Sequence, residues 1–188
     1  MDFKKHFMTA WKSTLEFIVP LILMTLVMIV VSVVTIGILA PVTMAGYMQS
    51  LLLMVRDRRE PKIQDLFSEM RLFFPLLLFG IIVCIITSIA IGFMLLFLPG
   101  LLVLIALAFC CLYMLPLMID KRLGLIEAIK ESYRMAVSGN IVEHIIVAVL
   151  FFGISAIGSS FLLGSLFTQP LATIFLLSVY DEKVRIGD

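Results

Sequence analysis

The chain alternates long apolar runs with short polar ones. Positions 17–55, 72–119 and 145–180 contain no Asp, Glu, Lys or Arg and hold 39, 48 and 36 residues. A single helix of those lengths would extend about 58, 72 and 54 Å at 1.5 Å per residue, against a hydrocarbon core of about 30 Å. Each run is too long for one crossing. Breakers fall inside each: Gly37 with Pro41, Pro99 with Gly100, and Gly164 with Pro170. The pattern predicts three helical hairpins, about 17–55, 72–119 and 141–180, hence six spans. The second and sixth, near 44–55 and 170–180, are short for a crossing unless tilted or partly re-entrant.

A polar segment with helical periodicity precedes each hairpin. The first sets Phe3, Phe7, Ala10, Trp11 and Ile18 apart from Lys4, Lys5 and Lys12. The second opens at Pro61, a favoured first helical position, and places Ile63, Leu66, Phe67, Met70 and Phe74 on one face. The third sets Ile126, Ile129, Tyr133, Ala136 and Val137 opposite Glu127, Lys130, Glu131 and Arg134. All three are expected to be amphipathic helices. They either lie in the membrane interface with the apolar side toward the acyl chains or pack on the cytoplasmic ends of the bundle. Phe3, Asp65 and Glu127 stand at equal spacing in these units, a repeat of hydropathy with little identity.

Charge placement gives the orientation. Lys and Arg in short loops are retained on the cytoplasmic side, and the hairpin arrangement puts all 14 on one side. Both termini are therefore expected in the cytoplasm. The first run is too long for a cleaved signal peptide and is followed directly by Pro41, so it is read as a retained span. With 62% hydrophobic and only 14% charged residues, the composition lies far from that of soluble domains. The expected fold is an all-α polytopic bundle, one membrane domain over 1–188. A net charge of +1 offers no basic field for nucleic acid.

Candidate chemistry is sparse. The exits of the three hairpins are alike: Val55-Arg56-Asp57-Arg58, Ile119-Asp120-Lys121-Arg122 and Tyr180-Asp181-Glu182-Lys183. Acid beside base at each suggests cytoplasmic salt bridges or a solvated helix end. Glu143 and His144 are the ionisable pair nearest an apolar run; Asn140 and Glu143 have capping-box spacing, which favours a helix-start role over a functional pair. His6 is too remote in sequence to support a metal site. Cys84, Cys110 and Cys111 lie in predicted spans without metal or redox spacing and read as small buried side chains. Gln49, Ser50 and Gln169 are the residues from which a polar path would be built, but no acid or base lies deep in any span. Small residues four apart, Ser88 with Gly92 and Ala156, Ser160 and Gly164, allow close helix approach. Prolines 20, 75, 116 and 170 are expected to bend helices or free carbonyls. No nucleotide loop, nucleophile elbow or zinc motif occurs, so neither an enzyme, a metal nor a cofactor is expected.

Leu115-Pro116-Leu117-Met118-Ile119-Asp120-Lys121-Arg122, the Leu123-Gly124 turn, Glu127-Ala128, Ser132 and the closing Gly139-Asn140 form a pattern, with Met44-Ala45-Gly46-Tyr47, Asp65-Leu66-Phe67 and Pro170 as further features. It resembles a broad superfamily of bacterial membrane proteins without agreed activity. These include YciC-like proteins and the membrane domain fused to some glycerophosphodiester phosphodiesterases. The resemblance implies a bundle of about six helices in the cytoplasmic membrane and carries no catalytic residue to this chain. The functional expectation is a non-enzymatic module binding lipid or a partner protein, or a second copy of itself, through Arg56, Arg58, Arg59, Lys121 and Arg122 and the interfacial helices. Its alternative is a transporter, channel or permease-like subunit for an uncharged or lipidic substrate.

Overall fold

A computed structural model describes residues 3–94, 99–137, 141–159 and 162–187. Every regular element among them is helical. The α-helices are α1 (Phe3–Glu16), α2 (Ile18–Val34), α3 (Ala40–Asp57), α4 (Phe73–Met94), α5 (Pro99–Cys111), α6 (Met114–Asp120), α7 (Leu125–Val137), α8 (Ile141–Ser159) and α9 (Leu162–Gly187). Successive apolar helices pack as neighbours: α2 on α3, α4 on α5, and α8 on α9. Three helical stretches are long and apolar enough to cross a membrane, Ile63–Ile91, Gly100–Asp120 and Ile141–Gly158. The pair α1 and α2, bent by 87°, makes a fourth if counted as one span.

The bend at Phe17 has a cause in the sequence. Pro20 has no N–H to offer the Glu16 carbonyl, so the helical ladder is interrupted where the chain turns. At the far end of α2, residues 35–39 make a tight turn in which Ile36 and Gly37 adopt φ of 52° and 80°. Gly37 takes the left-handed conformation without a Cβ clash. Pro41 then sits in the first turn of α3, where a missing N–H costs nothing. In the third hairpin Gly164 and Pro170 do not mark the turn. Both lie within α9, which begins at Leu162, after α8 ends at Ser159. Ser160 lies outside the described residues. The close approach of α8 to α9 is at Gly158, where a Cβ would overlap the Thr168 side chain.

α3 and α9 form the inside of the molecule. Leu171 to Leu177, Val179 and Tyr180 are buried, as are Ala45, Tyr47, Met48, Leu51, Leu52 and Met54. The Tyr47 hydroxyl joins Thr25 of α2 at 3.1 Å, so this buried phenol has a partner. Around this pair α2, α4, α5 and α8 turn large apolar side chains outward, among them Val30, Ile81, Ile85, Ile89, Leu102, Ile105, Val149 and Phe152. That explains why α3 and α9 do not stand among the most membrane-like stretches. A helix enclosed by other helices can carry more polar side chains, such as Gln49 and Gln169, than one facing hydrocarbon. At 18 and 26 residues they are about 27 and 39 Å long, longer than the short second and sixth segments expected from the sequence.

The segment after Pro61 differs from the expected amphipathic helix. It forms two short 3-10 turns, Ile63–Phe67 and Met70–Leu72, that bury Leu66 and Leu72 and leave Ile63, Phe67 and Met70 exposed. Its backbone rests against α3 at Gly46, where a Cβ would overlap the carbonyls of Asp65 and Leu66. α5 and α6 are likewise one predicted span in two pieces, broken at Leu112 and Tyr113.

Candidate functional site

The three hairpin exits converge. Arg56, in the last turn of α3, lies between Asp120 at the end of α6 and Asp181 in α9. Its Nη1 and Nη2 donate to the two oxygens of Asp120 at 2.5 and 2.8 Å, and its Nε donates to Asp181 at 2.6 Å. Tyr180 donates its hydroxyl to Asp120 at 2.9 Å, and Arg185 reaches the second oxygen of Asp181 at 2.9 Å. The side chains of Arg56, Asp120 and Asp181 are 27, 15 and 11% exposed. The planar guanidinium suits this place because it serves two carboxylates at once from fixed directions. The hydrogen bonds that Arg56 donates to Asp120 hold it even more firmly in its charged form, against the opposing effect of burial. Two acids and two bases balance, so the cluster is a neutral clasp on three helices.

The other exit cations have distinct settings. Arg58 closes α3 in a left-handed conformation, φ 55°, and meets Glu16 at 2.9 Å across an exposed surface. Arg59 grips both oxygens of Asp65 at 2.8 and 2.9 Å, while Ser50 donates to Asp65 at 2.8 Å. Asp65 thereby fixes the 3-10 segment against the Gly46 notch. Arg71 bridges Glu69 at 2.9 Å and the Met118 carbonyl at 3.2 Å. Lys121 and Arg122 are exposed on the turn after α6, Arg122 again with a left-handed φ of 52°. Of the five candidate cations, Arg56 and Arg59 are therefore held within the fold, and Arg58, Lys121 and Arg122 lie on its surface.

His144 acts at the break between α5 and α6. Pro116 lacks the N–H that would bond the Leu112 carbonyl, and the helix opens there. The Tyr113 N–H donates to Ser132 Oγ of α7 at 3.1 Å, and His144 Nε2 lies 3.1 Å from the Phe109 carbonyl that Tyr113 would otherwise have filled. A carbonyl only accepts, so Nε2 carries the proton. Two neighbouring helices thus repair the backbone of a third. The imidazole is fully buried between Phe109 and Tyr113, with ring centroids at 4.2 and 5.3 Å. Lys183 stands 5.2 Å from the Tyr113 ring centre; burial lowers its pKa, and the charge of Glu143 opposes that shift. The expected Asn140 cap lies outside the described residues. On α1, the buried His6 places Nδ1 2.8 Å from Ser178 and Nε2 3.0 Å from Glu182, pinning α1 to the end of α9.

The three residues from which a polar path was expected have different settings. Ser50 is bound to Asp65, Gln169 reaches the Met44 sulfur at 3.8 Å, and the buried Gln49 Oε1 has no hydrogen-bond partner among the described residues. No cluster of potential metal ligands occurs among the described residues. Cys84 is exposed, and Cys110 and Cys111 are half-buried.

What sequence reasoning left open is the direction in which the amphipathic helices face. α1 buries His6, Ala10, Ser13 and Thr14, against α9 and α2, and exposes Phe7, Met8, Trp11 and Leu15. α7 buries Ala128, Ser132 and Ala136 and exposes Ile126, Tyr133 and Val137. Small residues at helical spacing were the available signal: they let a helix sit tightly on the bundle while its larger apolar residues look away. Exposed Lys4, Lys5 and Lys12 lie along α1, and Lys130 and Arg134 along α7. No protein-family model, no curated protein and no solved structure matches the chain, so the site rests on its own geometry.

Proposed function

We propose that the chain is a non-enzymatic integral membrane module of the bacterial inner membrane, crossing six times with both termini in the cytoplasm. It binds lipid or a partner protein through its cytoplasmic-side helices and span exits. The observation that carries this reading is the outward apolar stripe on both α1 and α7, each accompanied by basic residues. A helix so built lies in a headgroup layer with its apolar side toward acyl chains and its cations toward phosphate. The Arg56 clasp supports it from the inside, because it ties the ends of α3, α6 and α9 to one face of the molecule. The resemblance carried by residues 115–134 belongs to the same reading.

Lys4, Lys12, Arg58, Lys121 and Arg122 are the surface cations to test. Gently purified protein is expected to retain anionic phospholipid above its share in the source membrane, and a variant with all five changed to Gln is expected to fall to that share. Equal retention by both proteins would sink the reading for lipid, and an unchanged set of copurifying proteins would sink it for a partner. A permease-like or channel subunit for an uncharged or lipidic substrate is the second reading, favoured by the unpartnered Gln49 carbonyl. Ser50 and Gln169 weigh against it, since both already contact other residues of the chain.

A further inference from the structure

α1 carries an open depression lined by Phe7, Met8, Trp11 and Lys12. Its wall is almost wholly apolar, and Lys12 is the one charged residue among those that line it. Trp11 is held in place rather than loose: it stacks on Phe7, with centroids at 6.4 Å, and meets the edge of Phe167 on α9 at 5.6 Å. Lys4, Met8 and Lys12 recur every four residues, so they share one stripe of the helix. The described part of α1 has Glu16 as its single acid, at the far end.

We infer that this depression seats one anionic phospholipid of the cytoplasmic leaflet, with an acyl chain along Phe7, Met8 and Trp11 and the headgroup phosphate on Lys12. The inference rests on the interfacial reading of α1 and adds a particular place and charge preference to it. Two features favour lipid over a protein occupant. The apolar wall continues the exposed stripe of α1 through Leu15, and the one charge at the rim is complementary to a phosphodiester. Tryptophan suits such a position, with an apolar ring and a single N–H donor at the level of the headgroups.

Trp11 is the only tryptophan of the chain, so its fluorescence reports this place alone. The full-length protein is reconstituted in phosphatidylcholine vesicles containing either dibrominated phosphatidylcholine or dibrominated phosphatidylglycerol. Both lipids are expected to quench Trp11, phosphatidylglycerol with an apparent affinity about fivefold higher, the ratio one near-surface cation gives. Lys12→Gln is expected to abolish that preference while leaving quenching by phosphatidylcholine intact, and Lys12→Arg to keep it. Equal quenching by both lipids, or a preference unchanged in Lys12→Gln, would overturn the seat and leave the interfacial reading standing. Absence of quenching by either lipid would overturn both. Shielding from both lipids that vanishes on dilution into excess lipid would identify a second copy as the occupant and also overturn the seat.

Discussion

Arg56 is the residue on which most depends. Removing one member of an enclosed charge cluster leaves the others without compensation, at roughly 3–5 kcal/mol for a fully buried pair. Partial exposure of Arg56 makes the lower end the better expectation. Arg56→Leu is expected to cost about 3 kcal/mol, read as a large fall in the thermal midpoint of the detergent-solubilised protein. Arg58→Gln, which removes an exposed pair, is expected to cost about 0–1 kcal/mol. Equal effects of the two substitutions would show that the clasp does not hold the helices together. The sequence made the acid and base at each exit visible, but not their partners. Arg56 lies 64 positions from Asp120 and 125 from Asp181, and only the convergence of three helices selects that combination over pairs within one exit. Asp65 and Gly46 were similarly visible as features without a reason. Their reason is mutual, since the glycine admits the backbone that the aspartate orients.

At the scale of elements, the α5–α6 break is held by α7 and α8. Ser132→Ala leaves the buried Tyr113 N–H without a partner, a cost of about 1–3 kcal/mol. Hydrogen exchange is expected to accelerate for amides 113–115 and 117 in this variant and to stay unchanged in α2 and α3. Uniform acceleration throughout the chain, or none, would contradict the splice. Pro116 announced a disturbance in the sequence, yet the supply of an imidazole and a hydroxyl from two later helices has no local signature. Periodicity placed Ala10 on one stripe with Phe7 and Trp11, and Ala136 with Tyr133 and Val137, whereas the fold buries the two alanines and exposes the larger residues. It did not reveal that the positions facing the protein are the small ones, Ala10 and Ser13 or Ala128 and Ser132, because hydrophobicity ranks large residues above small ones. The 61–72 segment fails for a related reason: its spacing is helical, but its contact with Gly46 is made through backbone carbonyls, which no side-chain pattern encodes.

For the whole molecule, the membrane-like character of the long apolar runs was legible because charge is excluded from hydrocarbon, and three helical stretches, or four with the bent pair, have the length and apolarity to cross. The layering was not legible. Inner α3 and α9 and outer α2, α4, α5 and α8 are distinguished by what surrounds each helix, and a single run of apolar residues is silent on that. The proposed topology follows from the hairpins and from the clasp at their ends, and cysteine accessibility tests it most directly. In a background with Cys84, Cys110 and Cys111 changed to Ala, single cysteines replace Ile36, Glu60 and Lys130, all exposed in the fold. An impermeant maleimide is expected to label position 36 in intact cells and to reach positions 60 and 130 only after the membrane is opened. Labelling of 60 or 130 in intact cells, or of all three positions alike, would contradict the account.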